Sequence, residues 1–135
     1  IGLAGNSLGG TISMYAAALD NSIDFAVASS CISTFERSIL SLYHCTDLYI
    51  PNLAIYFDTA DILSLIAPRP LILAQGVCDP IFPLSGFRDV FKDVEEVYKY
   101  WGAPNAMKAV LGTGGHKFYG SLIFPTLKRI LEASQ

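Results

Sequence analysis

Ala4-Gly5-Asn6-Ser7-Leu8-Gly9-Gly10 is the stretch on which the reading of this chain turns. It contains Gly-x-Ser-x-Gly, and its two flanks differ in kind. Ile1-Gly2-Leu3-Ala4 reads as the end of a buried strand, whereas Leu8 to Leu19 reads as a buried helix. Ala16, Ala17 and Ala18 favour helix there and permit close packing on a sheet, and Asp20-Asn21-Ser22 ends it. A strand that runs straight into a helix needs a sharp turn with a strained central residue, whose side chain stands clear of the backbone. Glycines two before and two after the serine are expected, because a Cβ at Gly5 or Gly9 would meet the neighbouring strand or helix. The turn also sets the Leu8 N–H at a helix N-terminus, where it can donate to negative charge developing on an oxygen. Ser7 is therefore a candidate nucleophile. Taken alone, it suits a helix cap equally well.

Working outward, Phe25 to Ile32 is a short, nearly continuous apolar run, the pattern of a strand buried on both faces. The spacing of Phe35, Ile39, Leu42 and Tyr43 predicts a helix over 34–43. Pro51 interrupts the next stretch, and 61–66 predicts a short helix capped by Thr59 or Asp61. After Pro68-Arg69-Pro70, Leu71 to Gly76 is another buried strand, and Val77 to Pro83 is a loop at its end. Ser85 to Trp101 is the clearest helix, with Phe87, Val90, Phe91, Val94, Val97, Tyr98 and Trp101 on one apolar face. Gly102 and Pro104 stop it. Ala106 to Leu111 suggests a strand near a sheet edge, since it carries Lys108. A glycine-rich loop spans Gly112 to Phe118, and a last helix runs from Ser121 or Phe124 to Ala133 with Pro125 in its first turn. This alternation is that of an α/β fold, about four mainly parallel strands flanked by helices.

Hydrophobic residues make up 52% of the 135 and charged residues only 16%; typical domains have about 45–50% and about 25%. Mean hydropathy is +0.42, yet no apolar run approaches the roughly 18 residues of a membrane span. The apolar excess instead fits buried parallel strands, or a chain lying against a partner surface. A net charge of −3 without a Lys/Arg cluster argues against nucleic acid or an anionic membrane as partner. Cys31, Cys45 and Cys78 are odd in number and lack CxxC spacing, which disfavours a disulfide framework and a zinc site. They lean weakly towards a reducing, cytoplasmic setting, and localisation stays open.

In open α/β sheets, active groups gather at the carboxyl ends of strands. Ser7 follows the first strand, Asp79 the third and His116 the fourth. A serine hydroxyl is a poor nucleophile until a base takes its proton. An imidazole does so near neutral pH, and a carboxylate holds its tautomer and stabilises the imidazolium. Each residue has a plainer reading: a cap for Ser7, a turn for Asp79-Pro80, a surface side chain for His116 after paired glycines. Their joint occurrence, in this order and at three strand ends, favours a catalytic triad.

These residues lie within a wider resemblance. Gly5 to Gly10, Leu65-Ile66-Ala67-Pro68-Arg69-Pro70-Leu71, Asp79-Pro80-Ile81-Phe82-Pro83 and Gly114-Gly115-His116 together resemble the α/β-hydrolase superfamily. More narrowly, they resemble its dienelactone-hydrolase-like branch, which includes acetyl xylan esterase-type proteins. The resemblance implies Ser7 as nucleophile, Asp79 as acid, His116 as base and the Leu8 N–H as an oxyanion donor. It implies no cofactor and no metal, and a small ester such as an acetylated sugar as substrate. Dienelactone hydrolases carry cysteine at the elbow, and serine here implies ordinary serine-type ester hydrolysis. The superfamily has about eight strands, so residues 1–135 correspond to a single partial domain, the C-terminal half of the fold. The absent half would carry the second oxyanion donor.

The first strand is then expected at an exposed sheet edge, open to pairing with the missing half or with a second copy. Two alternatives to an esterase stay open: a catalytically silent module of hydrolase descent, and a serine peptidase of the same fold. His44, close to Cys45 and Asp47, is expected to line a loop or the pocket mouth and not to bind metal. Arg69, between two prolines, is expected to be a structural ion-pairing residue.

Overall fold

The structure, a computed structural model, describes residues 1–133. Four strands, β1 (Gly2–Asn6), β2 (Phe25–Ser29), β3 (Leu71–Gly76) and β4 (Met107–Gly112), form one sheet in the order β1-β2-β3-β4, all parallel. Among the described residues five α-helices accompany them, α1 (Leu8–Leu19), α2 (Leu53–Tyr56), α3 (Thr59–Ser64), α4 (Leu84–Tyr100) and α5 (Gly120–Ala133), with a 3-10 turn at Thr46–Leu48. Sequential parallel neighbours need crossovers of one hand, which puts the connecting helices on a common face.

Side-chain alternation along the strands shows this layering. Ala26, Ala28, Leu71, Leu73 and Met107 point into a core with Met14 and Ala17 of α1, Ile62 and Leu63 of α3, and Phe87, Val90, Val94 and Tyr98 of α4. Val27, Ile72, Ala74 and Val110 point the other way, against Ile123, Leu127 and Ile130 of α5. All six residues of β3 are buried, as expected of a strand covered on both faces. Burying each of its large aliphatic side chains stabilises the fold by about 1.5–3 kcal/mol. β1 and β4 are the edges, as the sequence suggested for both.

Several local expectations are corrected. Residues 34–43 form turns and no helix. The Phe35 N–H donates to Asp58 Oδ1 (2.8 Å), and the Phe35 carbonyl accepts from Leu40 (2.8 Å), five residues on. The segment is thus tied outward to α3 before an α-helical ladder starts, and Tyr43 is exposed. α3 is capped by Asp58, not Thr59 or Asp61. Asp58 and Asp61 form a reciprocal capping box, with Asp58 N–H donating to Asp61 Oδ2 (2.7 Å). Trp101 lies just past α4 and is exposed, so the apolar stripe ends at Tyr98. Pro125 sits in the second turn of α5, because Ile123 N–H already bonds Tyr119 O (3.0 Å) and starts the helix early.

Arg69 is structural, but its partners are carbonyls and not a carboxylate. Its guanidinium donates to Ala17 O (2.6 Å), Ile23 O (2.8 Å), Asp20 O (3.0 Å) and Ile66 O (3.2 Å). Ala17 O is one of the carbonyls left without a helical partner in the last turn of α1, where a cation is also favoured by the helix dipole. Tyr98 OH donates to Arg69 O (2.7 Å), and burial holds that phenol protonated well above its ordinary range. Arg69→Ala is expected to lower the unfolding free energy by about 2–3 kcal/mol, since hydrogen bonds to charged donors contribute about 1.5–3 kcal/mol. Arg69→Lys should recover only part, because an ammonium cannot fan out over these carbonyls, to which Leu65 O (3.4 Å) also belongs. Urea unfolding followed by circular dichroism checks this, and an unchanged midpoint for Arg69→Ala would reject the clamp.

Candidate active site

The turn between β1 and α1 puts Ser7 at φ 55°, ψ −125°, a conformation that costs a non-glycine residue about 1–3 kcal/mol. Its N–H is held by Ser29 O (2.8 Å). Ser7 occupies the N-cap position, yet its side chain makes no capping hydrogen bond. The plain capping role is therefore not what this serine does. The first intrahelical bond is Thr11 N–H to Ser7 O (3.0 Å), so the N–H groups of Leu8, Gly9 and Gly10 precede the helical ladder. Leu8 N–H sits where the sequence placed it.

Close packing falls on a different pair of glycines from the pair expected. A Cβ at Gly5 would lie 2.1 Å from Gly9 O, and one at Gly10 would lie 2.7 Å from Cys31 Sγ and 2.9 Å from Ser29 O. A Cβ at Gly9 meets nothing within 4 Å. The tight positions are therefore Gly5 and Gly10, the second lying one residue beyond the expected glycine. Gly9→Ala is expected to stabilise the protein by about 0.5–1 kcal/mol through helix propensity. Gly10→Ala should destabilise it, because the backbone at Ser29 cannot give way. Thermal melts of the two variants check the contrast, which fails if both move the same way. Cys31 itself is no competing nucleophile, since burial pushes its thiol up to about 12.

The candidate acid and base meet directly. His116 Nδ1 lies 2.9 Å from Asp79 Oδ2, with the Asp79 side chain fully buried and the His116 side chain 21% exposed. A buried carboxylate against Nδ1 makes that nitrogen the donor and leaves Nε2 as the proton acceptor. Asp79 Oδ1 accepts from Ile81 N–H (2.9 Å) and Phe82 N–H (3.1 Å). Asp79 thus makes the turn with one oxygen and meets His116 with the other. Phe82 stacks on the His116 ring at 6.0 Å between centroids and 16° between planes.

Adjacent strands lie about 4.8 Å apart, which leaves β1 and β3 roughly 10 Å apart. The loop after β4 spans that gap. Cys78 N–H donates to Gly114 O (3.0 Å), Tyr119 OH donates to Gly115 O (2.8 Å), and Ser30 Oγ, just past β2, donates to Lys117 O (3.1 Å). His116 is therefore carried back across β3 towards the strand beside β1. A Cβ at Gly76 would lie 2.1 Å from Gly115 O, so only glycine ends β3 beneath this loop. Among the described residues, neither Ser7 Oγ nor His116 Nε2 has a hydrogen-bond partner. Such catalytic bonds commonly close only around substrate.

Sequence reading missed two polar residues here, Gln75 and Ser38, and placed His44 only in a loop or at the pocket mouth. Gln75 ends an otherwise apolar strand and donates from Nε2 to Phe82 O (2.7 Å), and Ser38 Oγ donates to Ile81 O (2.7 Å). His44 is buried against Ser38 at 2.9 Å and against the Phe82 ring at 5.1 Å. A glutamine inside an apolar run was a legible signal for Gln75; Ser38 had none. Among the described residues, no three His, Cys, Asp or Glu side chains are grouped as metal ligands would be.

A four-stranded parallel sheet flanked by helices, with a strand-to-helix turn at Ser7 and an Asp79–His116 contact at two other strand ends, decides the architecture. The chain has the α/β-hydrolase fold. It is similar to solved α/β-hydrolases, among them a carbohydrate esterase family 15 glucuronoyl esterase from Caldicellulosiruptor kristjansonii. That match has a TM-score of 0.76 at 17% identity, over 98% of this chain and 43% of the other. A Bacteroides fragilis protein provisionally assigned as an acetyl xylan esterase matches with a TM-score of 0.74 at 22% identity, over 96% of this chain and 42% of the other. In sequence, the chain is 34% identical over 121 residues to YtaP of Bacillus subtilis, whose hydrolase designation is itself provisional. That alignment takes in 86% of this chain and 40% of YtaP. The chain thus spans about two fifths of the length of these relatives. No family model matches it. No described helix is long and apolar enough to cross a membrane.

Proposed function

We propose that this chain carries the nucleophile, acid and base of a serine esterase. Ser7 Oγ attacks the ester carbonyl carbon while His116 Nε2 takes its proton, and the Leu8 N–H donates to the resulting oxyanion. Collapse breaks the acyl–oxygen bond, and His116 returns the proton to the departing alcohol. Water, deprotonated by the same nitrogen, then releases the acid and restores Ser7. Asp79 holds the Nδ1 proton throughout. The observation that carries this reading is the buried Asp79–His116 pair, set at the same end of the sheet as a serine in strained, uncapped geometry.

The glucuronoyl and acetyl xylan esterases among the structural neighbours favour a small carbohydrate ester as substrate. No cofactor is needed for these steps. Residues 1–135 are read as one partial domain whose β1 edge is completed by further strands. In favour, β1 pairs with β2 alone, which leaves its other edge open among the described residues. The strands added there would bring the second oxyanion donor.

Incubating the full-length chain with p-nitrophenyl acetate and a fluorophosphonate probe tests the esterase reading, with Ser7→Ala as control. Turnover and labelling that both need Ser7 are expected. Labelling indifferent to Ser7 would overturn the assignment. A matched peptide amide run beside the ester separates esterase from peptidase.

A further inference from the structure

The segment between β2 and α2 reaches under the acid loop, which the proposed chemistry does not by itself explain. Ser38 is fully buried and His44 is 5% exposed. The Ser38 hydroxyl has one proton, and Ile81 O can only accept, so that proton points to Ile81 O at 2.7 Å. Ser38 Oγ must then accept from His44 Nε2 at 2.9 Å, which fixes Nε2–H on His44. Burial holds the His44 imidazole below its ordinary range, with His116 adding a smaller push in the same direction. The ring is thus a neutral donor, and its face packs on Phe82 at 5.1 Å.

The chain of contacts ends at the base. His44 donates to Ser38, and Ser38 holds the carbonyl of Ile81, whose N–H binds Asp79 Oδ1. His44 also packs on Phe82, which stacks on His116. Both routes converge on the Asp79–His116 contact. The segment is itself anchored from outside. Arg37 Nε pairs with Asp89 Oδ2 of α4 (3.1 Å), while within the segment His44 N–H donates to Tyr49 Oη (3.1 Å).

We propose that Ser38 and His44 are positioning residues that hold the turn from Asp79 to Phe82 in register with His116. This rests on the reading of Asp79 and His116 as acid and base. Neither residue touches the reacting atoms, so both act on the rate and not on substrate binding. A buried polar pair placed under a loop is a supporting shell, and such shells decide whether a site is held to a fraction of an ångström.

The test compares Ser38→Ala, His44→Phe and His44→Gln in the full-length chain. His44→Phe keeps a ring on Phe82 but removes the donor, and the Gln amide nitrogen restores a donor near Nε2. With p-nitrophenyl acetate, kcat is expected to fall about 10-fold or more in Ser38→Ala and His44→Phe, within the about 10²-fold that a 1 Å misplacement brings. KM should not move, and His44→Gln should regain most of the loss. The low-field proton NMR signal of His116 Nδ1–H should broaden or disappear in the first two variants and return in the third. Folding is read from the melting transition, and Ser38→Ala, the smaller change, serves if His44→Phe fails to fold. Wild-type kcat with an unchanged low-field signal in a folded Ser38→Ala variant would overturn the proposal. If the unmutated chain shows no Ser7-dependent turnover, the esterase reading fails, and the NMR signal alone decides the positioning role.

Discussion

Ser7→Gly is expected to end covalent labelling and, at the same time, to make the protein harder to unfold. Ser7 sits at φ 55°, ψ −125°, where a side chain costs about 1–3 kcal/mol and glycine pays almost none of it. Glycine instead loses about 0.5–1 kcal/mol through the greater freedom of its unfolded chain. The relief exceeds the loss, so a net gain of about 0.5–2 kcal/mol results from these two terms. No folded-state contact is given up, because Ser7 Oγ makes no capping bond and the Ser7 N–H to Ser29 O bond is kept. Activity should move the other way, since removing a serine nucleophile lowers kcat by about 10⁶-fold where it has been measured. Chemical denaturation and fluorophosphonate labelling of the same two samples give both quantities. A variant less stable than the parent would mean that the turn is not strained, and the main structural argument for Ser7 as nucleophile would go with it.

The parts of this molecule legible in its sequence are those governed by local rules. β1 and α1 announce themselves by the switch from an apolar strand end to an alanine-rich helix. β3 is an apolar run broken only by Gln75 near its end, and α4 carries one stripe from Phe87 to Tyr98 between polar faces. The meeting of Asp79 with His116 follows from these elements, because parallel strands bring their carboxyl ends to one edge of the sheet. The stretch from Ser33 to Phe57 obeys no such rule. Its form is set by partners distant in the chain: Asp58 for Phe35, Ile81 for Ser38, Asp89 for Arg37. Helical spacing of Phe35, Ile39, Leu42 and Tyr43 is present but unused, because the Ser38 hydroxyl is drawn inward to the acid loop. Gly9 and Gly10 show the same limit on a smaller scale. Both are glycine, and only the position of β2 decides which of them must be.

Asp79→Asn separates the electrostatic role of this carboxylate from its structural one, and kcat is expected to fall by about 10⁴-fold. The size reflects which atoms face which partners. Oδ1 accepts two N–H groups, from Ile81 and Phe82, so the carbonyl oxygen of an asparagine must take that place. The amide nitrogen is then forced towards His116 Nδ1, now 2.9 Å from a donor where it had an acceptor. His116 responds by moving its proton to Nε2, leaving Nδ1 to accept. Nε2 can no longer take the proton of Ser7, although no heavy atom has moved far. Stability should change little, because the two turn bonds survive and a buried charge is removed along with its partner interaction. Fluorophosphonate labelling should slow in step with ester turnover, since both need the serine proton removed. A low-field NMR signal from His116 Nδ1–H that persists in Asp79→Asn, or turnover within a few-fold of the parent, would show that the carboxylate does not set the tautomer, and another acid would have to be sought for His116.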